Sequence, residues 1–172
     1  MEAASYSAIE TLRGGERVEI RAQRPDDREA LLAAVGHVTE QSLYRRFFGP
    51  KHGFSDREIE FFTHPDFINH VAVVAIAQEG GQPAIVAGGR YIVVRPGQAE
   101  VAFTVVDAYQ GKGIGAALMK HLVVLARAAD LSELVAEVLA ENAPMLKVFE
   151  RSGLPMRTSR QSNVVHVILR LT

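Results

Sequence analysis

The chain alternates between two kinds of hydrophobic spacing. Val18 to Ala22 alternates apolar and polar residues, the period of a half-buried strand, and predicts a short first strand. After Pro25-Asp26, residues Ala30, Leu31, Ala34, Val35 and Val38 recur at helical spacing and predict an amphipathic helix. A second helix is expected over Glu40 to Phe47, stopped by Gly49-Pro50. A third is expected over Asp56 to Thr63, where Ser55 and Glu58 make a capping-box pattern and Pro65 closes the segment. Met1 to Glu16 shows no period and contains Gly14-Gly15, so residues 1–16 are expected to form a loose, flexible arm and residues 17–172 a single domain.

From His70 onward the pattern turns to strands. His70–Gln78 and Ala84–Val94, joined by a Gly-rich turn, predict a hairpin, and Arg95-Pro96-Gly97 turns into a third strand. Ile114, Leu118, Leu122, Leu125 and Ala129 mark an amphipathic helix ending near Asp130. Leu134 to Leu139 reads as a strand, and a helical connection makes it the parallel half of a βαβ unit. Asn142 with Pro144 starts a helix running to Gly153, the cap and the first-turn proline in their usual places. Pro155–Gln161 and Val164–Leu171 predict a final hairpin about Ser162-Asn163. The order predicts an α/β domain with a mixed sheet.

Composition narrows the chemistry. A net charge of −1 gives no argument for a nucleic-acid or membrane surface. With no cysteine, disulfides, thiolate metal sites and a Cys nucleophile are excluded. The six histidines are scattered without metal-ligand spacing, so no metal is expected. Glu2 stands near Met1 with no apolar core behind it, and the longest apolar run, Val71 to Ala77, is too short to span a bilayer. The expectation is a soluble, cytoplasmic protein.

The informative stretch is Ala99 to Ala116, a buried strand with Glu100 and Thr104 as its polar members, a glycine-rich turn and the start of a helix. Gly111, Gly113 and Gly115 let the backbone bend and approach a ligand, and the helix start offers unpaired N–H groups and a positive dipole end to an anion. A P-loop would need Lys-Ser or Lys-Thr after the last glycine, where this chain has Ala116-Ala117. A dinucleotide fingerprint is formally met by Gly111, Gly113 and Ala116, but it lies late in the domain with too few βαβ units to follow. Gln110 through Gly115, as Q-x-x-G-x-G, resembles the acyl-CoA pyrophosphate loop of the GNAT superfamily of N-acetyltransferases. The segment from Asn142 to Gly153 resembles the helix that follows in that family. Tyr44–Phe48, His70–Ala75 and Glu100–Phe103 resemble the bacterial protein lysine acetyltransferase (Pat-like) branch. Members of that branch often carry a regulatory or acyl-CoA synthetase-like domain, for which 172 residues leave no room.

The resemblance implies a GNAT fold: a mixed, mostly antiparallel sheet of six or seven strands flanked by helices, with one parallel βαβ unit at the acyl-CoA loop. It also implies acetyl-CoA as cosubstrate, with no metal, and direct transfer to an amine, preferably the ε-amine of a protein lysine. Backbone amides from Gly111 through Lys112, Gly113, Ile114 and Gly115 to Ala116 would hold the diphosphate, flanked by the Gln110 and Lys112 side chains. The strand around Phe103 and Val105 would pair with the pantetheine arm, and an N–H near Val105 would face the oxyanion. Asn142 would meet the coenzyme, act as a plain helix cap, or do both.

Glu100 is the candidate base, its carboxyl raised by burial, and its alternative is an exposed or Arg90-paired strand-end residue. A base is needed because freeing a lysine amine at pH 7 costs about 4–5 kcal/mol. Phe149 stands where many members carry a Tyr acid beside the coenzyme thiol. That loss is tolerable, since a thiolate leaves at a cost of about 2 kcal/mol. Tyr109, Tyr91 or solvent could donate instead. His70 reads as structural or as facing the substrate cleft, and Arg45, Arg46, Lys51 and His52 as a solvated face or a docking patch. Small-amine acetylation and a non-catalytic acyl-CoA sensor are the rival functions. The acyl chain length and the oligomeric state stay open.

Overall fold

The structure is a computed structural model that describes residues 1–35 and 55–172. The expected helix over Glu40–Phe47, the end of the Ala30–Val38 stripe, the Tyr44–Phe48 likeness and the basic cluster from Arg45 to His52 lie outside the described residues. The strands are β1 Ser7–Thr11, β2 Arg17–Ala22, β3 His70–Glu79, β4 Gln82–Arg95, β5 Gln98–Val105, β6 Glu133–Leu139, β7 Met156–Gln161 and β8 Val164–Arg170. The helices are α1 Arg28–Val35, α2 Asp56–Thr63, α3 Ile114–Ala128 and α4 Ala143–Glu150. The strands form one sheet in the order β1-β2-β3-β4-β5-β6-β8-β7. Its pairs are antiparallel except β5 with β6, which run parallel because α3 carries the chain back across the sheet.

The predicted elements follow their local signals. At α2, Ser55 accepts from the Glu58 backbone N–H and Glu58 accepts from that of Ser55, the reciprocal box anticipated from those two residues. In α3, Leu118, Leu122 and Leu125 are buried on one face, each stabilising by roughly 2 kcal/mol through burial. That helix packs on β3, β4 and β5. Gly89 of β4 permits the contact: a Cβ there would lie 2.9 Å from Phe103 and 3.1 Å from Leu122.

The arm expectation is corrected. Ser7–Thr11 forms the edge strand β1, antiparallel to β2, which brings the sheet to eight strands where six or seven were anticipated. Its local sequence carries little period because it buries no residue fully. What holds it is distant in sequence. The His121 ring of α3 bonds the Tyr6 hydroxyl through Nδ1 and meets Glu10 Oε1 at 2.6 Å through Nε2, while Lys120 Nζ donates to the same oxygen at 2.9 Å. Lys120, ahead of His121, holds the Glu10 carboxyl below its usual value. Leu12, just beyond the strand, is buried in the core.

The feature that makes a site is a divergence. β5 pairs with β4 from Gln98 to Val105, with a register shift between Val93 and Arg95, yet pairs with β6 only from Gln98 to Glu100, against Glu133–Val135. Beyond Glu100 the two parallel strands separate.

Candidate active site

The backbone of β5 is the first component of the site. Val106 N–H donates to Val86 of β4, so alternation along the strand turns the N–H and C=O of Val105, Phe103 and Val101 the other way, into the gap. The gap is a cleft of about 690 Å³, bounded by β5, the Tyr109–Gly115 loop, Ala136–Val138 of β6 and α4. Phe103 and Phe149 are buried in its wall with their rings 6.1 Å apart, which gives it an apolar floor.

The loop is the second component. Gly111 has φ +78° and Gly113 φ +91°, a left-handed conformation that favours glycine, and Gly113 is the N-cap of α3. The N–H groups of Ile114, Gly115 and Ala116 start the helix without intrahelical acceptors, and all three residues line the cleft. Gly115 is small for a different reason than ligand approach: a Cβ there would press to 3.3 Å on Val148 of α4. Gln110 braces the loop, donating to Val105 O at 3.1 Å and to Asp107 Oδ1 at 3.2 Å. The Val105 carbonyl is thus engaged from within, and its N–H faces the gap.

The remaining side chains divide by charge. Glu100 and Glu137 lie along the strands, while Arg13, Lys147 and Arg151 stand at the rim by the loop and α4. Lys112 does not line the cleft. Its ammonium pairs with Glu16 at 2.8 Å and sits 5.0 Å from the Tyr109 ring, so its side chain turns from the expected flanking position. Asn142 caps α4, accepting from the Met145 backbone N–H at 3.4 Å, and also lines the cleft.

Glu100 is exposed, so the enclosed carboxyl expected from an apolar strand is not found. The reason is topological: the neighbouring strand departs at that residue, opening its side to solvent. Nor is Arg90 given over to it. Its guanidinium meets His70 Nε2 at 2.6 Å and Gln23 Oε1 at 3.3 Å, and lies over the Phe62 ring at 4.8 Å. His70 is buried and stacked on Phe61 with centroids 4.6 Å apart. Burial first, and then the Arg90 charge, push its imidazole down to about 4. A neutral ring at pH 7 accepts the Arg90 hydrogen bond.

His70, Ile92 and Glu100 are cross-strand partners in one row, and Ala72, Arg90 and Ala102 in the next. They share the sheet face opposite α3, since the Gly89 row points at Leu122. The His70–Arg90 pair therefore lies on the same sheet face as Glu100. Among the tyrosines, Tyr109 lines the cleft, whereas Tyr91 lies in the core. Burial, then Glu79 and Glu16, raise the Tyr109 phenol.

Sequence reasoning missed Arg13, Glu137, Lys147 and Arg151 as cleft residues. Arg13 came from the segment read as an arm, and the others carry no local signal beyond their charge.

Residues 38–154 match the acetyltransferase (GNAT) family. The chain is 35% identical over 146 residues to Acetyltransferase Pat of Mycolicibacterium smegmatis, covering 83% of this chain and 42% of that protein's length. It is 31% identical over 138 residues to an acetyltransferase of Pseudomonas aeruginosa, covering 80% of this chain and 74% of the other. The crystal structure of the GNAT domain of S. lividans PAT superposes with a TM-score of 0.86 at 34% identity, over 95% of this chain and 96% of that one. The glycine loop at the start of α3, the parted β5 and β6 strands and these relatives converge: the chain belongs to the GNAT family of acetyl-CoA-dependent N-acetyltransferases.

Proposed function

We propose that the domain transfers the acetyl group of acetyl-CoA directly to the ε-amine of a protein lysine, with Glu100 as the general base. The observation that carries this reading is the position of Glu100 at the last paired residue of β5 and β6, on the lip of the cleft. An amine entering along the face of His70 and Arg90 would meet that carboxylate before reaching the gap. Glu100 would take the ammonium proton, directly or through one water; the nitrogen would then bond the acetyl carbon as the carbon–sulfur bond breaks, and the second proton lost from the nitrogen would pass through solvent to the leaving thiolate. The glycine loop would hold the diphosphate, and the free edge of β5 at Phe103 and Val105 would pair with the pantetheine amides as an added strand. The N–H of Val105, pointing into the gap, would stabilise charge growing on the acetyl oxygen.

The relatives named Pat support a macromolecular acceptor, and the exposure of Glu100 suits a bulky one. Phe149 has no hydroxyl to give the leaving thiolate, and that single observation favours a second reading, an acyl-CoA sensor without turnover. The deciding experiment is acetyl-CoA calorimetry followed by thiol release on panels of proteins and small amines. Turnover on a protein lysine that Glu100→Gln removes, with coenzyme affinity kept, supports the proposal. Turnover confined to small amines overturns the acceptor, and binding without any turnover selects the sensor.

A further inference from the structure

The N-terminal hairpin brings a cation to the coenzyme cradle. Arg13 follows β1, in a turn closed by Leu12 N–H to Glu16 O at 2.7 Å and Gly15 N–H to Leu12 O at 2.9 Å. Its guanidinium lines the cleft, with Nη2 3.4 Å from the Gly111 carbonyl and Nε 3.7 Å from the point where a Cβ on Gly113 would stand. It therefore lies over the two left-handed glycines of the loop. Among the described residues no carboxylate pairs with Arg13, whereas its neighbour Lys112 is committed to Glu16. The contact to Gly111 is long and between an ion and a neutral carbonyl, one that an anion would readily replace.

We propose that Arg13 is a phosphate ligand of the coenzyme, contacting the diphosphate held by the Gly111–Ala116 loop, so that the hairpin is a working part of the site. This rests on the acyl-CoA reading given above. A guanidinium offers two parallel N–H donors that match phosphate oxygens, and beside a helix start its charge adds to the dipole. The anchoring fits the role. Buried Leu12 and the Tyr6–His121–Glu10–Lys120 network hold the strand before Arg13 on α3, and Glu16–Lys112 ties the turn after it to the loop. A side chain fixed on both flanks reaches the cradle with little ordering left to do.

The test is calorimetric titration of coenzyme A and of 3′-dephospho-coenzyme A into the full chain and its Arg13→Gln and Arg13→Lys variants, at two salt concentrations. Arg13 is exposed, so thermal melting is expected to show folded variants. Arg13→Gln is expected to weaken coenzyme A roughly tenfold at low salt, with a shallower salt dependence, and Arg13→Lys to recover part of the loss. The same loss with the 3′-dephospho compound supports contact at the diphosphate. A loss that disappears with it places Arg13 at the 3′-phosphate and overturns the assignment. Equal affinities of wild type and Arg13→Gln overturn the proposal while leaving the acyl-CoA reading intact; failure of the wild type to bind coenzyme A overturns both.

Discussion

The two halves of the cleft are built from different materials. The half we assign to the coenzyme uses backbone: left-handed Gly111 and Gly113, the first N–H groups of α3 and the edge of β5 beyond its pairing with β6. The half we assign to the acceptor uses a side chain, Glu100 at the lip, with the His70–Arg90 pair on the same sheet face. Backbone donors depend on conformation and tolerate exchange of most side chains. A proton acceptor depends on one functional group in one place. The cradle should therefore fail through geometry and the lip through chemistry.

Substitution of Gly113 by Val breaks the first half most severely. At φ +91° a β-branched residue costs about 1–3 kcal/mol in strain and puts its side chain against Arg13, so coenzyme binding is expected to be lost in calorimetry. Retained affinity would mean that the loop is not the cradle. Next comes Glu100→Gln, expected to lower kcat roughly a hundred- to ten-thousandfold while the coenzyme Kd stays within about twofold. Turnover unchanged at every pH would remove Glu100 as the base.

A pH experiment sharpens the contrast without touching the coenzyme. The His70 pKa is about 4 in the folded chain against about 6.5 unfolded, so the unfolded state binds the extra proton between those values. Stability is thus unaffected by this group above pH 6.5 and falls as pH drops toward 4, by on the order of 3 kcal/mol at about 1.4 per unit. Urea unfolding at pH 7, 5.5 and 4.5 reads the slope, and His70→Gln should flatten it. An identical slope in that variant would assign the acid sensitivity to other groups. Asp27 is one such group. Burial alone would raise it, but hydrogen bonds from Arg21 and the Arg24 backbone N–H outweigh that and hold it low.

The smallest effect is expected at Lys112. Its exposed pair with Glu16 is screened by solvent and contributes little, and since its side chain turns from the cleft, Lys112→Ala should change coenzyme affinity by less than about threefold. A loss matching that of Arg13→Gln would show that the ammonium leaves Glu16 for the ligand.

The glycine loop was legible because its signals are local. Glycines at fixed spacing, a β-branched strand before them and a leucine stripe after them each act within a few residues, and α2, with its Ser55–Glu58 box, was readable for the same reason. Whether Glu100 is buried or exposed was left open by the sequence. Val101–Val106 is as apolar as a central strand, and only the parting of β6 leaves its start open to water.

The sequence by itself determined the order of the described elements from β2 onward, the parallel βαβ unit, the glycine loop at a helix start and a carboxylate on the strand leading to it, because turns, caps and periodicity are set by neighbours along the chain. The tertiary structure alone decided that Ser7–Thr11 is a strand, that Lys112 turns to Glu16 while Arg13 reaches the cleft, and that Arg90 serves His70 and Gln23. Those outcomes depend on partners far away in sequence: β1 is held by His121 and Lys120 of α3, and Arg90 by His70 on β3 and Gln23 just after β2. A charged side chain's hydrogen bonds go to whichever groups the fold brings near it, and the local sequence carries no record of that choice.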